Sequence, residues 1–205
     1  MADLAMNYVG GLARHSFYID RQIRNAGEWP KPAGISLAGK TVALVGYGDI
    51  GRSTATRLLA AEMILNVYDP AFSSEPTDTL RSKTWPEGLE EADFLVFTCP
   101  LVPATHHMFN DDILPLLKPG VRVVNVGRGP VIKESALIDA LERGIVHSAA
   151  LDVFLKWSHC RSTVRFVPTR STFFGSHNAS NTRDAVRRVS LLAIERMFAF
   201  LGLEG

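Results

Sequence analysis

The chain has 205 residues, of which 46% are hydrophobic and 21% charged, with a formal net charge of +1. These values predict a globular protein with a substantial core, and they argue against nucleic acid or an anionic membrane as partner. No apolar run approaches the about 18 residues of a membrane span, and the N-terminus does not resemble a signal peptide. The two cysteines, Cys99 and Cys160, lack metal-like spacing, so we expect no metal site and a reducing, cytoplasmic setting.

The first part of the chain predicts two helices and a loop. Residues 2–15 place Leu4, Tyr8 and Leu12 at helical spacing with a wide apolar face. A more polar helix is predicted over 17–26, and glycine and proline residues then break the chain between 27 and 34. The apolar face of the first helix needs a cover, which is either the sheet or another chain.

From residue 41 onward, predicted strands and helices alternate. The strands are 41–45, 63–68, 94–98, 121–126 and 146–153, with short strands near 79–84 and 173–174. The helices are 50–61, 87–92, 110–117, 133–143 and 181–201. Such alternation predicts an α/β fold with a doubly wound parallel sheet of the Rossmann type and helices on both faces. Residues 155–173 interrupt this alternation of strands and helices and show no clear hydrophobic period.

The turn after the first of these strands carries a Gly-x-Gly-x-x-Gly motif at Gly46, Gly48 and Gly51. The first glycine allows a tight turn, the second lets the backbone approach a pyrophosphate, and the third lets the helix pack closely. The phosphates would lie at the helix N-terminus, where free N–H groups and the helix dipole favour negative charge. The motif therefore predicts a dinucleotide site.

The second strand ends in Asp69, which lies 18 residues beyond Gly51. An acid in this place accepts the ribose hydroxyls of an adenosine and repels a 2′-phosphate, so it favours NAD over NADP. The alternative is a glycine turn with an unrelated surface acid, but the order of strand, glycines, helix, strand and acid favours the cofactor. Cys99, Arg128 and Asp152 also fall at the carboxyl ends of predicted strands, where ligands bind in such sheets.

Several motifs together resemble the NAD-binding domain of the D-isomer-specific 2-hydroxyacid dehydrogenases, the family that includes phosphoglycerate dehydrogenase. The matching segments are 37–41, 46–51, 68–70, 99–107, 125–129, 150–154 and 177–179. Their order and spacing fit over nearly the whole chain. The resemblance implies an NAD-dependent oxidoreductase that moves a hydride between nicotinamide and C2 of a small 2-hydroxy or 2-keto acid, and it implies a homodimer.

The same resemblance implies where the cofactor is held. Backbone N–H groups would bind the pyrophosphate, and an acid would bind the ribose. Residues that follow two later strands would line the nicotinamide end. The residues in these places are Gly46, Gly48, Asp49, Ile50, Gly51, Asp69, Val126, Gly127, Arg128, Asp152 and His177.

Two of these residues are candidates for the chemistry. Arg128 resembles the family's arginine that pairs with the substrate carboxylate, a task that suits the planar guanidinium fork. His177 resembles the family's acid/base, because imidazole titrates near the working pH. The plainer readings are a surface ion pair for Arg128 and a structural role for His177. We assign no role to His106, His107, His147 and His159.

The chain departs from the family in its domain content. We expect residues 1–205 to form the NAD-binding domain, with a core of about 36–178 and connecting helices at 2–27 and 181–201. The family's N-terminal substrate domain is expected to be absent, as in a truncated gene product or fragment. Both connecting helices would then lack their usual packing partner.

A second departure concerns the family's catalytic glutamate, which holds the histidine. Its position falls on Trp157, and indole cannot accept the imidazolium proton. One explanation is a local frameshift within 155–173 that is restored before Phe174, and the other is a divergent loop. The nucleotide sequence distinguishes them. The functional alternative to an active dehydrogenase is therefore an NAD(H)-binding remnant or interaction module without turnover.

Overall fold

The computed structural model describes residues 1–73, 77–153 and 172–202. Seven parallel strands form one sheet in the order β3-β2-β1-β4-β5-β6-β7. The strands are β1 (Thr41–Val45), β2 (Ile64–Tyr68), β3 (Leu80–Ser82), β4 (Phe94–Phe97), β5 (Val121–Asn125), β6 (Val146–Leu151) and β7 (Thr172–Phe174). The helices are α1 (Ala2–Ala13), α2 (Ser16–Ala26), α3 (Asp49–Ala60), α4 (Glu134–Glu142) and α5 (Arg183–Leu201).

The central strands are buried on both faces, which is why they read as continuous apolar runs. On one face, Val42, Leu44 and Val96 pack with residues of α1 and α3. On the other, Leu95 and Val123 pack with α4 and the segment 109–117. Because α3 links β1 to β2 on one face and α4 links β5 to β6 on the other, the predicted doubly wound α/β sheet is confirmed.

Two of the predicted helices are shorter and tighter than expected. The segments expected as helices at 87–92 and 110–117 are 3₁₀ helices at Leu89–Glu91 and Asp111–Leu116. The second contains Pro115, which has no N–H to continue an α-helical ladder. Two further 3₁₀ turns, Pro103–Thr105 and Gly129–Val131, were not predicted. Each has a proline as its first or second residue.

The two terminal helices differ in their packing. The expectation of a missing partner is wrong for α1, because Ala5, Tyr8 and Val9 are buried against α3 and the strands β5 and β6. Within the described part of α5, by contrast, no residue is buried, and its large apolar side chains are between 44% and 89% exposed. None of the helices in the described ranges is long and apolar enough to cross a membrane.

Candidate cofactor and catalytic site

The sheet order creates a crevice at the carboxyl ends of β1 and β4. The chain runs from β1 outward to β2 and β3, then returns to place β4 on the other side of β1. The connection from β1 to β2 covers one face of the sheet and the connection that follows β4 covers the other, which leaves a cleft between β1 and β4. The glycine motif follows β1 at this cleft, and Cys99 follows β4.

The three motif glycines meet different surroundings. Gly46 has a φ of +92°, and a Cβ built on it would lie 2.8 Å from the backbone N and Cα of Cys99. A Cβ on Gly51 would lie 2.1 Å from the carbonyl oxygen of Gly46, so α3 presses directly on the turn. A Cβ on Gly48 would meet nothing within 4 Å. The first and third glycines therefore serve close packing, whereas the second borders open space that suits a ligand.

The first turn of α3 faces this open space without a side-chain cap. Gly48 is the N-cap residue and makes no side-chain hydrogen bond to the N–H groups of the first turn. Asp49 opens the helix, but its carboxylate is 97% exposed and pairs with Arg52 at 2.5 Å. Uncapped N–H groups at a helix start are suited to bind an anion. The carboxylate of Asp49 disfavours an anion at this helix start, although its backbone N–H is predicted to bind one.

Asp69 joins the glycine turn to the end of β2. One of its oxygens accepts the backbone N–H of Tyr47 at 2.6 Å, and the other accepts that of Ala71 at 2.8 Å. Each carboxylate oxygen keeps a second lone pair for a hydroxyl donor. The Tyr47 and Phe72 rings lie beside it, with centroids 4.2 Å apart.

Asn125 shapes the turn that carries Arg128. It is 1% exposed, its Oδ1 accepts the N–H of Gly127 at 3.0 Å, and its Nδ2 donates to the carbonyl of Arg128 at 3.0 Å. Arg128 itself is exposed and donates to the carbonyl of Gly127 at 2.8 Å. It forms no ion pair with any carboxylate of the described residues. Asn125 begins the matching segment 125–129 but is not among the predicted site residues, although a polar residue at the end of a buried strand is a signal for such a role.

Asp152 supports the turn that carries His177. The aspartate is 1% exposed, and its two oxygens accept the N–H groups of Asn178 at 3.1 Å and Ala179 at 2.9 Å. Its own carbonyl accepts the N–H of His177 at 2.8 Å. The carboxylate thus points into the protein and is occupied by backbone donors. That Asp152 also approaches the nicotinamide stays a prediction.

Two further observations bear on the His177 turn. The histidine is exposed and has a φ of +58°, which is uncommon for a residue with a side chain. Tyr8 of α1 lies under the turn, and a Cβ built on Gly175 would come within 2.4 Å of its hydroxyl and 2.3 Å of an oxygen of Asp152. Burial raises the pKa of Tyr8 to about 12, and the charge of Asp152 adds to this.

Residues 6–179 match the family model described as D-isomer specific 2-hydroxyacid dehydrogenase, NAD binding domain. The chain belongs to this family. The match covers most of the sequence, and it makes NAD the cofactor of the domain, as the motif and Asp69 predicted.

Similar proteins support the assignment to the 2-hydroxyacid dehydrogenases. The chain is 34% identical over 93% of its length to "D-3-phosphoglycerate dehydrogenase 2, chloroplastic" of Arabidopsis thaliana, and it covers 31% of that protein. It is 33% identical over 99% of its length to a hydroxypyruvate reductase of Thermotoga maritima, and it covers 67% of that protein. The NAD-complexed D-isomer specific 2-hydroxyacid dehydrogenase of Lactobacillus delbrueckii ssp. bulgaricus superposes with a TM-score of 0.85 at 22% identity, over 100% of this chain and 66% of that one. The chain thus spans about one third to two thirds of these proteins.

The sheet brings the candidate residues of this dehydrogenase domain to one edge. The glycine motif, Asp69, Arg128, Asp152 and His177 follow β1, β2, β5, β6 and β7, whose carboxyl ends all lie on that edge. Trp157, which is predicted to occupy the position of the family's glutamate, lies outside the described residues, as do His159 and Cys160.

Proposed function

We propose that this domain serves NAD-dependent hydride transfer at C2 of a small 2-hydroxy or 2-keto acid. The observation that carries the proposal is Arg128, an exposed arginine at the sheet edge that binds the cofactor, with no carboxylate partner in the described residues. Most surface arginines are free to move, but the backbone of this one is held on both sides by Asn125. A guanidinium fork on an anchored backbone beside a cofactor suits the carboxylate of a small acid.

The residues around the crevice fit NAD. The open space at Gly48 and the uncapped N–H groups of Asp49 and Ile50 would take the pyrophosphate. The free lone pairs of Asp69 would accept the ribose hydroxyls. The segment Val126, Gly127 and Arg128, whose turn Asn125 holds, would border the nicotinamide end. When bound, NAD supplies the group that accepts or donates the hydride.

His177 is the proposed acid/base. Reduction of a 2-keto acid leaves a negative oxygen at C2, which takes a proton from a nearby imidazolium, and oxidation of the hydroxy acid returns that proton. The histidine is exposed on a turn that three backbone hydrogen bonds attach to Asp152. Its ring can therefore face a substrate while its backbone stays in place.

An experiment on cofactor and substrate together tests this proposal. The chain is titrated with NADH by calorimetry and then mixed with hydroxypyruvate or glyoxylate, which are small 2-keto acids, while NADH absorbance is followed. We expect saturable NADH binding, and Arg128→Met is expected to abolish any turnover while leaving NADH affinity within about threefold. Measurable turnover in the wild-type protein that Arg128→Met retains in full would contradict the role of Arg128.

The second candidate is an NAD(H)-binding module without turnover. It is favoured by Trp157 at the glutamate position, because no carboxylate there would orient the imidazolium. NADH binding with no detectable oxidation by any 2-keto acid supports this candidate. Absence of NADH binding contradicts both candidates.

Domain content and assembly are also proposals. We propose that residues 1–205 form the NAD-binding domain without the family's substrate domain among them, and that two copies form a homodimer. The exposed apolar surface of α5, with Val189 at 64% and Phe200 at 89%, supports an association that covers it. Light scattering coupled to size exclusion tests the dimer. The cytoplasmic location stays a prediction, and the Arabidopsis relative is named as chloroplastic.

A further inference from the structure

A cavity of about 260 Å³ lies on the edge of the sheet opposite to the cofactor crevice. It opens beside the first residues of β6 and β7, where His147, Ser148 and Thr172 line it. Along β6, the five residue steps from His147 to Asp152 span about 16 Å, so the β6 residues that line the cavity lie well away from Asp152. The cavity is therefore separate from the site described above.

The walls of the cavity are aromatic and rigidly packed. The ring of Phe17 from α2 stacks on that of Phe173 from β7, with centroids 3.8 Å apart. Tyr8 of α1 meets the edge of Phe173 at 5.4 Å and holds it from the protein interior. Leu12 and Pro32 complete the apolar lining. A space bounded in this way accepts a planar ring or a branched aliphatic group.

Besides the hydroxyls of Tyr18, Ser148 and Thr172, the polar side chains of the cavity are Arg21 and two histidines, and no acidic residue is among the described residues that line it. Arg21 donates from Nη1 to the carbonyl of Thr172 at 2.7 Å, which fixes its guanidinium at the wall. Burial lowers the pKa of Arg21. The rings of His15 and His147 meet edge to face at 5.3 Å on the same wall.

Neighbouring groups do not neutralise this wall. Behind it, Arg122 has a buried Nε without a hydrogen-bond partner in the described part of the chain. Its charge adds to burial in lowering the pKa of His147, which favours the neutral form of that histidine, so Arg21 is the permanent cation of the wall. Asp93 faces Arg122 but pairs with Lys118 at 2.8 Å, and Asp20 of α2 pairs with Arg24 on the exposed side of the helix.

We propose that this cavity binds a small carboxylic acid with an aromatic or branched apolar body. Arg21 would receive the carboxylate, with His15 and His147 beside it, and the Phe17–Phe173 pair would pack against the ring. A carboxylate supplies a negative charge opposite Arg21, whose half-buried guanidinium can bind it through charge-assisted hydrogen bonds. The cavity volume is close to the lower limit of about 300 Å³ for small-molecule sites, which restricts the ligand to about the size of benzoate. The proposal does not depend on hydride transfer or on NAD.

Calorimetric titration of the full chain with sodium benzoate tests the proposal, with benzyl alcohol and acetate as probes that lack the charge or the ring. We expect saturable binding of benzoate, at least tenfold weaker binding of the other two, and loss of benzoate binding by at least about tenfold in Arg21→Met. Arg24→Met is the matched control, because Arg24 lies on the same helix with its charge paired to Asp20. Arg128→Met is the control for the other carboxylate site, and it should leave benzoate affinity unchanged.

A second measurement needs no variant. Benzoate should shift the ring-proton resonances of His15 and His147 in the wild-type protein with the same saturation curve as the calorimetry. Binding that Arg128→Met removes and Arg21→Met retains would overturn the proposal, since benzoate would then occupy the sheet edge of the cofactor. Histidine resonances that do not move would overturn it as well. So would benzoate binding that is seen only when two chains associate, because the ligand would then lie between the chains.

Discussion

The Oδ2 atom of Asp152 accepts a hydrogen bond of 2.9 Å from the backbone N–H of Ala179, and this bond joins β6 to the turn that carries His177. The other oxygen binds the N–H of Asn178, so the buried carboxylate is satisfied by two backbone donors. A charged acceptor with two N–H donors makes bonds about twice as strong as neutral ones. Asp152 therefore fixes the backbone position of His177, the proposed acid/base, whether or not it also touches the cofactor.

Replacement of Asp152 by asparagine should destabilise the fold. An amide offers one acceptor and places N–H donors against a backbone N–H, which leaves at least one buried donor without a partner. We expect a loss of about 2 kcal/mol in the free energy of unfolding, measured by urea denaturation. Asp112→Asn, at an exposed site, is the control and should change stability by less than about 0.5 kcal/mol. Equal stabilities of Asp152→Asn and the wild-type protein would show that the carboxylate is dispensable to the turn.

The motif glycines should separate folding from binding. Gly51→Ala puts a Cβ 2.1 Å from the carbonyl of Gly46, so we expect a loss of about 3 kcal/mol as α3 is pushed off the turn. Gly48→Ala meets no protein atom within 4 Å, so the fold should tolerate it, while its Cβ would occupy the space of the pyrophosphate. Thermal unfolding and NAD calorimetry check the pair. A Gly48→Ala variant with normal NAD affinity would contradict the placement of the phosphates.

Asp69→Asn should reduce the preference for NAD over NADP. The substitution removes the charge that repels a 2′-phosphate and weakens the acceptor for the ribose hydroxyls. We expect the ratio of the NADP and NAD dissociation constants to fall by about tenfold or more. Calorimetric titration of both cofactors measures it, with Asp78→Asn as the exposed control. An unchanged ratio would mean that Asp69 serves only the backbone of Tyr47 and Ala71.

Asp49→Asn should tighten NAD binding. The acid opens α3 where the pyrophosphate is expected, and its charge, although paired with Arg52, is unfavourable for an anion. Because the side chain is almost fully exposed, we expect a gain of only about twofold to fivefold in affinity at low salt. The gain should vanish near 1 M salt, where charges are screened within about 3 Å. Weaker NAD binding in this variant would show that the Asp49–Arg52 pair contributes to the site.

Stability at alkaline pH should depend on Cys99. Burial raises the pKa of this thiol from 9.0 to about 11, so between these values the unfolded chain has released a proton that the folded chain retains. Fewer protons on the unfolded state mean that stability falls as pH rises, by up to about 3 kcal/mol between pH 9 and 11. Cys99→Ala should flatten this part of the curve in urea denaturation, although Tyr8 still contributes at higher pH. Parallel curves for Cys99→Ala and the wild-type protein would contradict the buried thiol.

Some features of the site followed from local sequence signals. The strand ends that carry Gly46, Asp69 and Arg128 were predictable because buried parallel strands are short apolar runs and the residues after them all reach one edge of the sheet. The elements that were predicted wrongly are short segments such as 110–117. There the apolar pattern resembles a helix, but Pro115 and the Asn110 side chain favour a tight 3₁₀ turn.

The sequence by itself determined the doubly wound sheet, the dinucleotide motif and the family, because each depends on periodicity and spacing within a few tens of residues. Only the tertiary structure decided the packing of α1 on the sheet, the burial of Asp152 under the His177 turn, and the basic cavity at the opposite edge. These depend on contacts between distant segments, such as the hydrogen bond from Arg21 to Thr172 across 151 residues. Which side chains are buried at such contacts, and which charges are paired, is decided only when β6, β7 and α1 come together. No local sequence pattern therefore encodes them.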